Sequence, residues 1–133
     1  MFENAKCMAI AFAERGFEVD YCEKEYLSDE EREAMYEKND VIIYALLSRP
    51  FRPMGSLDYT ASRAAKIAGA FLPKNAVDKT IVVSLGSPYF GSQYFEHAKT
   101  YVNGYSMLGC AAEAFVRAAC GEVPFEGKSP VKL

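Results

Sequence analysis

The amino-acid sequence predicts an α/β fold, a mostly parallel sheet in a three-layer sandwich with helices on both faces. Three observations predict it. Ile81 to Leu85 is a run of apolar residues interrupted only by Ser84, and it ends in Gly86, with Pro88 placed where a helix can begin. Buried parallel strands read as such near-continuous apolar runs and hand over to a crossover helix. Helix-like and strand-like segments then alternate along the chain as α-β-α-β-α-β-α-β-α, followed by an extended tail, which is the pattern of a parallel sheet with helices packed against it. The 133 residues make one domain, 1–133, large enough to bury a core without staples.

The elements follow in order. Phe2 to Arg15 has helical spacing, with Ala5, Met8, Ala9 and Phe12 on one side and Glu3, Lys6, Glu14 and Arg15 on the other. Gly16 supplies the stop. Phe17 to Cys22 alternates apolar and acidic residues, which predicts a half-exposed strand near a sheet edge. Ser28-Asp-Glu-Glu31 is a capping box and opens a mostly polar helix to about Lys38, with Ala34 and Met35 as its narrow apolar stripe. Val41 to Leu47 is a second strand, apolar on both faces.

Ser48 to Tyr59 is irregular, since Pro50, Pro53 and Gly55 exclude regular structure. Thr60 caps a helix with Ala64, Ile67, Ala68 and Phe71 inside and Pro73 as its end. After the Ile81–Leu85 strand come a short helix broken by Gly91 and a weak strand around Tyr101 to Tyr105. A last, alanine-rich helix from Cys110 to Cys120 packs through Ala111, Ala112, Phe115 and Ala119, and Gly121 stops it. The chain opens on a helix, although the first strand of a doubly wound sheet is usually central. The sequence therefore reads as beginning one strand late.

Charge and composition narrow the function. The net charge is −3, from fifteen basic and eighteen acidic residues, with no basic stripe of the kind that nucleic acid requires. No apolar run approaches membrane-spanning length, and the start lacks the pattern of a secretory signal, so the default location is cytoplasmic. Cys7, Cys22, Cys110 and Cys120 form no C-x-x-C pair, and His97 has no cysteine near it; no metal site is predicted, and the thiols read as buried small apolar residues. Gly86-Ser-Pro-Tyr-Phe-Gly91 fails the spacing of both phosphate-loop signatures, and Pro88 removes an N–H that an anion would use, so it reads as a tight strand-to-helix turn. Ser84 and Ser87 lie in no nucleophile elbow. Glu30, Glu31 and Glu33 are a solvated helix face. Arg49 and Arg52, on the long loop, are placed to clamp an anion or to serve an interface. No catalytic residue and no cofactor is predicted from the residues themselves.

The tail is the most specific stretch: Gly121-Glu122-Val-Pro124-Phe-Glu-Gly127-Lys128-Ser-Pro130-Val131-Lys-Leu133. A helix ending in Gly-Glu, then Pro, then Gly-Lys-x-Pro-Val, resembles the end of the C-terminal α/β domain of glycoside hydrolase family 3. Asp40 to Leu47, Lys79 to Tyr89 and Tyr101 to Ser106 resemble earlier segments of that domain in the same order. The resemblance implies a flavodoxin-like sandwich whose first strand would precede Met1. It implies a parent enzyme that hydrolyses β-linked sugars with a nucleophilic Asp in a separate (β/α)8 barrel. In the β-glucosidase branch this domain lends a Glu acid/base from the loop after the strand that Val41 to Leu47 resembles. Here that loop has no Glu, and Asp58 is its only acidic residue. The chain therefore looks more like the β-N-acetylhexosaminidase branch, where the acid/base is a barrel His. No catalytic residue is carried over, and Arg49, Arg52 and Asp58 are the substrate-proximal candidates.

The implied partner is the barrel, with carbohydrate met only through it. Two other readings stand beside this one: a free-standing flavodoxin-like module that binds an anionic small molecule, and a homodimer formed through the exposed sheet region. The discriminating observations are a ligand that co-purifies at the strand ends and the oligomeric state.

Overall fold

The computed structural model describes residues 3–22, 27–48, 76–89 and 97–132. These form an α/β unit with helices α1 (Glu3–Glu14), α2 (Asp29–Lys38) and α3 (Gly109–Ala119). Its strands are β1 (Ile42–Ser48), β2 (Thr80–Gly86) and β3 (Thr100–Asn103), and a short 3₁₀ turn, Val77–Lys79, leads into β2. The sheet order is β1-β2-β3 and both pairings are parallel. The register runs from Ile42 opposite Thr80 to Ser48 opposite Gly86, and from Ile81 opposite Thr100 to Ser84 opposite Asn103.

Alternation along the strands divides the core in two. Ile43, Ala45, Ile81, Val83, Leu85 and Val102 face a cluster built by Met8, Ala11 and Phe12 of α1 and Ala112, Phe115 and Val116 of α3. The other face carries Tyr44, Leu46, Val82 and Tyr101, and α2 lies there, with its buried Tyr36 hydroxyl bonded to that of Tyr44. Burial pushes both hydroxyls above the ordinary tyrosine range. Val82, Val83 and Leu85 have no exposed surface, as a strand covered on both faces and paired on both edges requires.

Several helix expectations shift by part of a turn. On α1 the fully buried pair is Met8 and Ala11, while Ala5, Ala9 and Phe12 are half-buried. On α2 the capping box forms as predicted, but Ala34 is exposed and Tyr36 is the buried residue, because its long side chain reaches Tyr44. On α3 Val116 takes the inner place expected of Ala119, which is exposed. The predicted burial of the thiols is corrected too: Cys7 and Cys110 are exposed and Cys22 and Cys120 half-buried. The first two sit on helix flanks, one residue before Met8 and two before Ala112.

Phe17 to Cys22 is not a strand. Backbone alternation alone makes no ladder, and among the described residues no strand pairs with this segment. Side chains hold it instead. Asp20 accepts from Lys38 at 2.8 Å and from the Asn39 amide at 3.3 Å, so the segment is tied to the end of α2. Phe17 packs edge-on against Phe12 at 5.6 Å, and remains half exposed.

Helices α1 and α3 end in the same way, at the same end of the molecule. Gly16 and Gly121 take positive φ, 87° and 77°, and Phe17 N–H and Glu122 N–H each reach back five residues, to the carbonyls of Phe12 and Arg117. Arg15 then joins the two ends by donating to Glu113 at 2.9 Å and to both oxygens of Glu122. The hydrogen bond from Arg15, helped by Arg117, holds the Glu122 carboxyl below its usual range, and Lys38 does the same for Asp20. A depressed carboxylate stabilises the fold above its unfolded pKa, and the effect is lost as pH falls through the folded value. Glu122→Gln is therefore expected to lower the melting temperature at pH 7 and to flatten its decline between about pH 5 and pH 3. A decline as steep as that of the wild type, followed by circular dichroism, would show that this cluster carries no pH dependence.

Candidate functional site

In open α/β sheets ligands and partners meet the protein at the carboxyl ends of the strands. In this molecule that rim is formed by Ser48, by Gly86 to Tyr89 after β2, and by Gly104 to Leu108 after β3. Parallel register places the three strand ends side by side.

Each loop is built by local bonds. The buried Ser84 hydroxyl donates to the Ser87 carbonyl at 2.7 Å, which closes the turn after β2. Gly104 N–H donates to the Ser84 carbonyl at 2.8 Å and so extends the β2–β3 contact beyond the ladder. A Cβ at position 104 would lie 2.6 Å from Leu85 Cδ2, so the buried Leu85 side chain would have to shift to admit one. The next residue, Tyr105, has φ 54°, and among the described non-glycine residues no other has positive φ. Its hydroxyl donates to Ser129 of the tail at 2.7 Å. The Asn103 carboxamide oxygen is buried without a hydrogen-bond partner, an acceptor of the kind that an ordered water satisfies.

The rim is aromatic at its outer edge. Tyr89, Tyr105 and Leu108 are exposed on the loops that follow β2 and β3. The Ser84 hydroxyl is spent within the turn after β2, on the Ser87 carbonyl; of the Gly86 to Gly91 stretch read as a strand-to-helix turn, Phe90 and Gly91 lie outside the described residues. His97 is exposed and precedes β3, at the opposite end of the sheet from the rim. Arg49, Arg52 and Asp58, the substrate-proximal candidates, lie outside the described residues, as do the expected helix after Thr60 and the one broken by Gly91. No group of three or more His, Cys, Asp or Glu side chains among the described residues is arranged to hold a metal ion. No helix among them is long and apolar enough to cross a membrane.

Sequence reasoning missed two features of this end of the molecule. Tyr105 carries no signal for a left-handed backbone, because its conformation comes from Gly104 packed on Leu85 before it and from Ser129 at its hydroxyl. The Tyr105–Ser129 bond spans 24 residues and no local pattern announces it.

The chain matches no protein-family model, no curated protein and no solved structure.

Proposed function

We propose that the chain is a non-catalytic C-terminal α/β domain of a family 3 glycoside hydrolase of the β-N-acetylhexosaminidase type. It packs on a (β/α)8 barrel, supports the hydrolysis of β-linked sugars there, and has the flavodoxin-like layering of that domain. The observation that carries this reading is the tail, Gly121-Glu122 through Gly127-Lys128-Ser-Pro130-Val131, placed directly after an alanine-rich helix that closes a parallel sheet. The rim of exposed Tyr89, Tyr105 and Leu108 supports it as a surface suited to a second domain.

The test has two parts. The coding sequence flanking this chain, in frame or in the adjacent gene, is expected to encode a (β/α)8 barrel. The purified chain alone is expected to leave aryl β-N-acetylglucosaminide and aryl β-glucoside intact. Robust turnover by the chain alone, or the absence of any barrel beside it, overturns the proposal.

A further inference from the structure

The tail is held at two places and nearly bare between them. At its start, the Glu122 carboxylate takes Arg15 and Arg117. At its end, the Tyr105 hydroxyl donates to Ser129 Oγ at 2.7 Å, and that hydroxyl in turn donates to the Val131 carbonyl at 2.6 Å. The Val131 N–H closes the same small turn on Ser129 Oγ at 3.4 Å. From Pro124 to Pro130 every residue is exposed, and only Val123 and Val131 are half-buried.

The direction of the tail follows from its ends. Glu122 lies just beyond the last turn of α3, whereas Tyr105 lies just before its first. The tail must therefore run back along the whole helix, which at 1.5 Å per residue is about 16 Å long. Seven further residues, extended at about 3.3 Å each, cover that distance with slack. The return brings Ser129, with Lys128 beside it, to the strand-end rim at the one described non-glycine residue held at positive φ. Such a backbone persists where its surroundings over-determine it, and here the tail is one of those surroundings.

We propose that residues 122–131 are a strap across the domain, anchored at Glu122 and latched reversibly at Tyr105, which opens by local unfolding while the sheet stays folded. A segment with little buried surface, bonded to the domain only near its two ends, belongs to the low-stability class of structure that opens independently of the core. When the latch opens, Ser129 and its neighbouring lysine leave the rim and Tyr105 is freed. The strap thus controls the shape of the surface formed by Tyr89, Tyr105 and Leu108. This inference does not depend on the glycosidase reading.

The experiment compares the full chain with Tyr105→Phe and Ser129→Ala, using limited trypsin cleavage after Lys128 and hydrogen exchange of the 123–131 segment. A single neutral hydrogen bond sets the expected size: Tyr105→Phe speeds cleavage and exchange in the tail by about two- to tenfold. Ser129→Ala removes that bond together with the two that Ser129 makes to Val131, so it speeds exchange at least as much, and the double variant is no faster than Ser129→Ala alone, because the Tyr105 bond is already gone. Exchange in β2 and α3 stays at the wild-type rate. Three outcomes overturn the proposal. The wild-type tail is cleaved and exchanged as fast as an unstructured peptide, or the variants leave both rates unchanged, or β2 and α3 lose protection together with the tail.

Discussion

Leu85→Ala is expected to remove about 2–5 kcal/mol of unfolding free energy, the range for a large-to-small change in a core that relaxes only partly. Leu85 has no exposed surface and lies in the cluster shared by the sheet, α1 and α3. It is also the side chain that leaves no room for a Cβ at position 104, since its Cδ2 stands 2.6 Å from where that atom would be. The two positions are therefore coupled. Gly104→Ala is costly in the wild type and much less so once Leu85 is Ala, because the truncated side chain vacates the space. Urea denaturation of the two single variants and the double variant gives the coupling directly. Strict additivity would mean that the loop after β3 does not rest on Leu85. Leu85→Met, which nearly conserves volume, is expected to cost under about 1.5 kcal/mol.

Lys79→Met is expected to cost about 1.5–3 kcal/mol, the range for hydrogen bonds to a charged group. The Lys79 ammonium donates to the Tyr36 carbonyl and, at 2.9 Å, to the Asn39 carbonyl. These are acceptors at the carboxyl end of α2, where carbonyls have no partner within the helix and the dipole favours a cation. Methionine keeps the apolar stem and leaves both carbonyls without the ammonium. The loss should concentrate in α2, whose amides exchange faster while those of β2 keep their protection. Equal loss of protection in the two elements would show that Lys79 supports the whole fold rather than one joint.

The features legible in the sequence are those fixed by near neighbours. Ser28 and Glu31 cap α2 as their spacing requires, Gly16 and Gly121 stop their helices, and Ile81 to Leu85 is the central strand among those described. What the sequence hides is what depends on distant partners. Phe17 to Cys22 has the alternation of a strand, yet a strand exists only with a ladder partner. Tyr36 rather than Ala34 is buried because Tyr44 lies across from it. Lys79 reads as an ordinary residue before a strand until α2 is seen to end beside it. Of the candidate site, the place was legible, since the carboxyl ends of parallel strands follow from the fold class. The conformation of Tyr105 and its bond to Ser129 were not.

The packing of α1 against α3 has a consequence for how the molecule is made. Arg15 bonds to Glu113 and Glu122 across separations of 98 and 107 residues, and Phe12 meets Phe115 edge-on at 6.3 Å. On the ribosome α1 emerges well before α3, and its apolar stripe of Met8, Ala11 and Phe12 waits for a partner helix that lies 98 residues further along the chain at Glu113. The sheet face it shares with α3 cannot close before then. Such distant pairing slows folding and prolongs exposure of apolar surface. A nascent chain stalled before residue 109 would present that stripe to chaperones for as long as the stall lasts.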